Sequence, residues 1–180
     1  MTRESRLVVR PEESADAPAV QEIIAAAFAP TGGVVIEVGL NDELRHDPDR
    51  IPELCLVAER DGTVVGQLTS SYGVLTDPAG GPERRLVGVG PVAVHPADQG
   101  TGVGRAMLAD LIDRARRAGE LALVLLGDPA FYGRFGFHPA AEAGIAAPDP
   151  KWGVHFQALV IATETEVSGR FVYAAPFGRL

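Results

Sequence analysis

The chain is best understood from residues 90–117, which read GPVAVHPADQGTGVGRAMLADLIDRARR. An apolar run over Val92–Val94 ends at His95 and Pro96, and a short polar turn follows. Glycines then occupy the alternate positions 100, 102 and 104, and the residues after them are apolar at helical spacing. The segment therefore predicts a strand, a glycine-rich turn and the start of a long helix.

The first turn of that helix is suited to bind a phosphate group. Its backbone N–H groups have no partner inside the helix and carry a partial positive charge of about half a unit. Gly100, Gly102 and Gly104 allow an anion to approach this backbone closely. Arg105 lies in the same turn, where its charge opposes the helix dipole, and this placement indicates an anionic partner. A surface arginine without that role is the alternative interpretation.

Two common phosphate-binding patterns do not fit this turn. A P-loop continues with Lys and Ser or Thr after its last glycine, whereas Arg105 and Ala106 follow Gly104 here. The dinucleotide pattern G-x-G-x-x-G fails because the third glycine comes one residue too early. The turn therefore belongs to another class of phosphate site.

The segment Val94–Gly104, VHPADQGTGVG, resembles the acetyl-CoA signature Q/R-x-x-G-x-G/A of the GCN5-related N-acetyltransferase (GNAT) family. A second block, Phe131–Phe137 (FYGRFGF), is similar to the family's later motif, in which a tyrosine precedes an aromatic–Gly–Phe ending. The resemblance extends from Leu54 to Pro139. Within the family, Leu126–Tyr132 is most similar to a bacterial subgroup of predicted acetyltransferases.

The resemblance implies an α/β (α+β) GNAT fold, formed by a single N-acetyltransferase domain over residues 1–180. Its mixed central sheet has about seven strands, splayed between strands 4 and 5, and is flanked by about four helices. In this family the pantetheine arm of acetyl-CoA lies in the gap between those two strands. The apolar run Leu86–Val94 is the predicted central strand. Pro91 within it cannot donate a ladder hydrogen bond, so a bulge or a break in pairing is expected there.

The resemblance also implies the contacts of acetyl-CoA. Backbone groups of the central strand bind the pantetheine amides, an N–H of Val92 or Ala93 polarises the thioester carbonyl, and the glycine turn binds the pyrophosphate. The residues implied are Val92, Ala93, Val94, Gln99, Gly100, Thr101, Gly102, Val103, Gly104 and Arg105.

Tyr132 is the implied catalytic acid, because a phenol of pKa about 10 stays protonated and can donate a proton to a leaving thiolate. The general base is open. Many family members carry a glutamate on the central strand, but Leu86–Val94 contains no acidic residue. Asp128, Glu37 or His95 can serve, and Glu37 and Asp128 are the candidate substrate contacts. The four histidines show no metal-ligand spacing, so no metal is expected.

Composition excludes several classes of protein. The net charge of −8 in 180 residues argues against nucleic-acid binding through a basic patch. Cys55, the one cysteine, excludes an internal disulfide and lies in an apolar run, so it is expected to be buried in a strand. The sequence has neither a signal-peptide pattern nor an apolar run of membrane-spanning length, so a cytoplasmic protein without membrane partners is expected.

Further elements follow from local patterns. Asp61–Gly62 predicts the turn of a hairpin between residues 54–60 and 63–74. Phe156–Ala162 and Glu166–Ala174 are expected to form two late antiparallel strands joined by a turn near Thr163, and these strands can pair across a homodimer.

The predicted function is transfer of an acetyl group from acetyl-CoA to a primary amine, by direct attack in a ternary complex. The acceptor is a small-molecule or peptide amine that the sequence does not identify. A non-catalytic module that senses acyl-CoA is the alternative, supported by the missing strand glutamate.

Overall fold

The computed structural model describes residues 6–29 and 35–179. These residues form one nine-stranded mixed sheet. Its strands are β1 (Leu7–Pro11), β2 (Leu56–Arg60), β3 (Thr63–Thr76), β4 (Arg84–Val94), β5 (Ala122–Leu126), β6 (His138–Pro139), β7 (Ile145–Ala146), β8 (Phe156–Val160) and β9 (Gly169–Val172). The order across the sheet is β1-β2-β3-β4-β5-β8-β6, and β9 pairs with β3 and β7.

The described part of the chain contains four α-helices: α1 (Ala17–Phe28), α2 (Ile36–His46), α3 (Val103–Ala118) and α4 (Pro129–Tyr132). The predicted mixed sheet with about four helices is confirmed. The sheet has two strands more than expected, because β6 and β7 are only two residues long and leave no alternating pattern in the sequence. No helix among the described residues is long and apolar enough to cross a membrane.

Helix α3 packs against one face of the sheet as its apolar stripe predicts. Met107, Leu108, Leu111, Ile112 and Ala115 are all buried, in the same cluster as alternate residues of β2. The helix begins after Gly102 and ends before Gly119, both of which have left-handed backbone conformations. Helix α1 lies on the opposite face, in a cluster that includes Val57 of β2.

The sheet opens between β4 and β5. These parallel strands pair only over Val87–Val89 and Leu123–Leu125, and beyond that point β4 is paired with β3 alone. Pro91 lies just past the last pair and has no N–H to donate. The β3–β4 register shifts opposite Pro91, between Leu68 and Ser70. The predicted irregularity and the predicted splay between the fourth and fifth strands are therefore confirmed.

The prediction of a C-terminal hairpin is wrong. Strand β8 pairs with β5 and β6, whereas β9 lies on β3, along the edge that β2 leaves free. Phe171 of β9 pairs with Leu75 and is fully buried. Its ring lies against Gly73, where a Cβ would come within 2.3 Å of it. Burial of this large aromatic side chain, a contact remote in sequence, outweighs the local turn.

Candidate active site

The turn between β4 and α3 is held by side chains from outside it. Gly100 and Gly102 adopt left-handed backbone conformations, with φ of 75° and 90°. Arg60 on β2 forms an ion pair with Asp98 and donates to the Thr101 hydroxyl at 2.9 Å. The Thr101 hydroxyl donates to the Asp98 carbonyl at 2.6 Å. The protein itself therefore fixes the shape of the glycine turn.

The N-terminal end of α3 presents free backbone donors. Its first internal hydrogen bond runs from Ala106 N to the Gly102 carbonyl, at 3.0 Å. The N–H groups of Val103, Gly104 and Arg105 consequently have no partner within the helix. The Arg105 side chain is exposed, and no carboxylate of the described residues pairs with it. An anion at this turn meets several backbone donors and one free guanidinium group.

Two polar side chains of the same turn are used to hold it in place. Gln99 Nε2 donates to the Val94 carbonyl at 3.0 Å and so covers the end of β4. His95 Nδ1 accepts from Ala97 N at 3.3 Å. His95 does not line the cavity described below. The geometry therefore favours Asp128 and Glu37 over His95 among the candidate bases.

The backbone N–H and carbonyl groups of β4 point alternately toward β3 and toward the gap beside β5. His95 N donates to the Val65 carbonyl on β3 at 2.9 Å, and the register is regular from there to Val92. Because hydrogen-bonded and non-hydrogen-bonded pairs alternate along an antiparallel ladder, Val92 and Val94 direct their backbone groups away from β3, into the gap beside β5. Ala93 directs its own groups to β3. Of the two candidates for the thioester carbonyl, the geometry favours Val92.

The gap widens into a cavity of about 820 Å³. Strand β4, helix α2, the β5–α4 turn and the C-terminal segment all contribute to its wall. Four of the predicted site residues line it: Val92, Tyr132, Glu37 and Asp128. The glycine turn does not, because it lies at the far end of β4. The fold thus brings together residues from separate parts of the sequence.

Tyr132 is positioned by a glycine and an aromatic cluster. Its ring lies against Gly127, where an added Cβ would be 2.2 Å from the ring. Phe131 and Phe137 contact the ring edge-on, at centroid distances of 5.0 and 5.9 Å. Burial raises the pKa of the Tyr132 phenol above its ordinary value. The hydroxyl is therefore protonated at neutral pH and is able to donate.

The acidic candidates differ in how they are held. Asp128 Oδ1 accepts from Ala130 N at 2.9 Å and so caps α4. Glu37 lies half-buried in the first turn of α2. No acidic residue lies on β4, and the part of β4 that lines the cavity, Val89–Val92, has polar atoms only in its backbone. Of the three candidate bases, Glu37 and Asp128 therefore line the cavity.

Sequence analysis missed the C-terminal wall of the cavity, which includes Asp149, Trp152, Tyr173 and Phe177. Asp149, Trp152 and Phe177 lie in or beside 3-10 turns without periodicity, and Tyr173 follows directly after β9. The Tyr173 ring packs on β4 at Gly88, where a Cβ would be 2.9 Å away. A glycine inside a strand marks a close approach of this kind, so Gly88 was the available signal.

A second hollow of about 430 Å³ lies beside the start of α3, lined by Arg105, Ala109, Phe131, Arg134 and Phe135. Arg134 Nε donates to a backbone carbonyl of α4 at 3.0 Å, and none of the described carboxylates pairs with this guanidinium. Sequence analysis did not single out Arg134. Two arginines without carboxylate partners and two aromatic rings therefore flank the glycine turn.

The chain's one cysteine takes no part in this site. Cys55 is fully buried, its thiol donates to the Ser70 carbonyl at 3.3 Å, and it does not line the cavity. Burial raises the pKa of this thiol, which opposes formation of a thiolate. In the portion of the chain that the structure describes, no three His, Cys, Asp or Glu side chains are grouped as a metal site requires.

Comparison with known sequences identifies relatives over nearly the whole chain. Residues 8–140 match the family model of the acetyltransferase (GNAT) domain. YhbS of Escherichia coli K12, an uncharacterized N-acetyltransferase, is 31% identical over 176 residues, covering 96% of this chain and 99% of YhbS. The L-methionine sulfoximine/L-methionine sulfone acetyltransferase of Salmonella typhimurium is 29% identical over 154 residues, covering 83% of this chain and 87% of that protein.

Solved structures extend the likeness to three dimensions. The crystal structure of E. coli YhbS in complex with CoA has a TM-score of 0.86 and 30% identity, covering 100% of this chain and 96% of that one. A GNAT family acetyltransferase from Brucella melitensis in complex with acetyl-CoA has a TM-score of 0.76 and 32% identity, covering 96% and 98%. Both likenesses continue past residue 140, where the family match ends.

Proposed function

This chain belongs to the GNAT family of N-acetyltransferases, and from that membership we propose that it moves an acetyl group from acetyl-CoA to a primary amine by direct attack in a ternary complex. The supporting observation is the gap between β4 and β5, which opens at Val92 into the cavity that Tyr132 lines. The gap and the cavity together offer free backbone N–H groups, a proton donor and space for an acceptor amine. We further propose that residues 1–180 act as one domain, in the cytoplasm, on a small-molecule or peptide amine.

The open edge of β4 is the proposed binding site for the pantetheine arm and the thioester. The Val92 carbonyl and the Val94 N–H point into the gap and bond its amides as an added strand does, because the Val94 carbonyl already accepts from Gln99. The Val92 N–H then polarises the thioester carbonyl, in the manner of an oxyanion hole. The backbone groups of Ala93 point to β3 and hold this part of β4 in the sheet. This proposal is supported by the β5 side of β4, whose backbone has no partner strand beyond Val89.

The glycine turn is the proposed site of the pyrophosphate. In this proposal backbone N–H groups between Gln99 and Gly104 bind the pyrophosphate, and each charge-assisted bond contributes about 1.5–3 kcal/mol. The Gln99 N–H itself donates to the Pro96 carbonyl at 3.4 Å. Arg105 and Arg134 lack carboxylate partners among the described residues, and they supply positive charge beside that turn. Thr101 is already bonded within the turn and fixes its shape rather than holding phosphate by its hydroxyl.

Acyl transfer then needs one proton to move from nitrogen to sulfur. The amine nitrogen attacks the thioester carbonyl carbon, and the C–S bond breaks as the amide forms. Tyr132 donates its proton to the departing sulfur and regains one from the acetylated nitrogen. Because burial raises the pKa of Tyr132, the phenol is protonated when the thiolate forms. No covalent acetyl-enzyme is required.

The acceptor must first become a neutral amine, since an alkyl amine has a pKa of about 10.4. Glu37 and Asp128 lie on the cavity wall and are the proposed acceptor contacts. Each can take the proton directly or through water. The alternative is that the acceptor enters as its small neutral fraction.

Initial-rate kinetics test the proposal. CoA release is measured with a thiol reagent while acetyl-CoA and a primary amine are both varied. A ternary complex predicts double-reciprocal lines that intersect, whereas parallel lines would indicate a covalent acetyl-enzyme. Because the Cys55 thiol is buried, it should not react with the reagent and should add little to the signal from CoA.

A non-catalytic acyl-CoA sensor is the second candidate, favoured by the absence of a glutamate on β4. Thermal unfolding and turnover together separate the two functions. Acetyl-CoA at about a hundred times its Kd stabilises either protein by about 2.7 kcal/mol, and ATP serves as the control ligand. Stabilisation with no CoA release for any amine would favour the sensor.

A further inference from the structure

The cavity wall carries negative charge only, among the residues that the structure describes. Glu37, Asp128 and Asp149 line it, and none of the described lining residues is lysine, arginine or histidine. Two basic side chains that are not among the lining residues contact backbone carbonyls of the wall. Arg170 donates to the Pro148 carbonyl at 3.0 Å, and His155 Nδ1 lies 3.3 Å from a backbone carbonyl of the β5–α4 turn.

The two aspartates hold a fixed orientation without losing their charge. Asp128 and Asp149 each use Oδ1 to accept a backbone N–H at 2.9 Å, from Ala130 and Lys151 respectively. No ion pair neutralises either carboxylate within the described chain. Each therefore keeps a second oxygen with which to bind a donor from the cavity.

Aromatic rings cover much of the remaining wall. Trp152 and Tyr173 lie with ring centroids 6.2 Å apart, and Phe28 and Phe177 complete this side. Such a surface binds apolar groups, and the faces of its rings attract an ammonium group. The described lining residues thus combine apolar contact with carboxylates, and none of them is a cation that would pair with an anionic ligand.

We propose that the acceptor is a primary amine on an aromatic or branched apolar body that bears no carboxylate, and that free α-amino acids are excluded. This inference rests on the proposed function, because it assumes that the cavity is the acceptor site. An α-carboxylate entering the cavity would face like charges, and the described lining residues include no arginine or lysine to pair with it. Discrimination of this kind comes from the repulsive element as much as from the attractive one.

The single tryptophan of the chain allows a test that does not depend on turnover. Because Trp152 lines the cavity, its fluorescence reports binding there directly. We would titrate 2-phenylethylamine, L-phenylalanine and L-phenylalaninamide, which share a benzyl group and an amine. We expect L-phenylalanine to bind at least about tenfold more weakly than the other two ligands, because only it carries the carboxylate.

Asp149→Asn is the matched variant, because asparagine keeps the capping acceptor and removes the charge. We expect about five- to tenfold weaker binding of 2-phenylethylamine and a smaller preference for it over L-phenylalanine. Glu22→Gln is the control, since Glu22 is exposed on α1 and does not line the cavity. That variant makes the same change in net charge and should leave both affinities within about twofold.

Equal or tighter binding of L-phenylalanine, or no effect of Asp149→Asn, would overturn the inference. Acetylation of amino acids, with no binding or acetylation of the decarboxylated amines, would also overturn the inference. The proposed acetyltransferase function would stand in that case. Conversely, the predicted order of affinities without any CoA release would support the inference about the cavity and contradict the proposed function.

Discussion

Replacing Gly127 by alanine separates the position of the Tyr132 ring from the presence of its hydroxyl. The new Cβ would lie 2.2 Å from Cε2 of Tyr132. The backbone cannot retreat, because Gly127 N donates to the His155 carbonyl at 2.9 Å and Gln157 Nε2 donates to the Gly127 carbonyl at 3.0 Å. Since carbon atoms pack at about 3.5 Å or more, the ring must move by more than about 1 Å.

A displacement of that size at a catalytic group lowers turnover by about 100-fold. We therefore expect kcat for CoA release to fall by about that factor in Gly127→Ala, while the Kd for acetyl-CoA changes by less than about threefold. Overpacking should also lower the free energy of unfolding by about 1–3 kcal/mol, so the assay is run well below the Tm.

Gly133→Ala is the matched control in the same segment. Gly133 has helical backbone angles, and a Cβ there meets no atom within 4 Å. Alanine should leave kcat unchanged and raise stability by up to about 1 kcal/mol. Wild-type kcat in Gly127→Ala would refute the reasoning. A weakened acetyl-CoA Kd with kcat preserved would show instead that the ring shapes the binding cleft and does not donate the proton.

Three further predictions concern the scaffold. Arg10 donates to both carboxylate oxygens of Asp16 and lowers its pKa below the ordinary value of 3.8. Asp16→Asn should therefore reduce the free energy of unfolding by about 1–2 kcal/mol at neutral pH. In urea titrations at a series of pH values, this difference in unfolding free energy should shrink as the pH falls below 3.8 and through the lower pKa of Asp16 in the native state. Gln67 Nε2 donates to the buried Pro91 carbonyl at 3.0 Å. Gln67→Leu leaves that carbonyl without a donor. The substitution should lower the free energy of unfolding in urea by about 1–3 kcal/mol and weaken acetyl-CoA binding. An unchanged Kd for acetyl-CoA would mean that this hydrogen bond does not position β4. Cys55 should not react with a thiol reagent in the native chain, and one thiol should appear in denaturant; rapid native labelling would contradict its burial.

Most parts of the fold that sequence analysis predicted correctly have local causes. The strand, turn and helix around Gly100 to Gly104 follow from glycine positions and an apolar stripe, and the Asp61–Gly62 turn sets its hairpin. The opening of the sheet followed from the missing N–H of Pro91 together with the family resemblance. Glu37, Asp128 and Tyr132, chosen from two separate segments, line one cavity.

The parts that were missed depend on contacts remote in sequence. Strand β9 pairs with β3 because Phe171 fills the space over Gly73, and no local pattern encodes that partner. Asp149 and Trp152 reach the cavity from 3-10 turns that have no periodicity. The role of Tyr173 becomes evident only when its ring is seen against Gly88. The acceptor side of the site is therefore the part that sequence reasoning recovers least.

The most direct test of the proposed chemistry is kcat for CoA release in Tyr132→Phe, measured beside Tyr72→Phe. The Tyr72 hydroxyl donates to Glu120 at 2.8 Å and does not line the cavity. Loss of the Tyr132 hydroxyl should lower kcat by about 10²- to 10⁴-fold and leave the Kd for acetyl-CoA unchanged, while Tyr72→Phe keeps wild-type kcat. Wild-type kcat in Tyr132→Phe would contradict the assignment of this tyrosine as the proton donor.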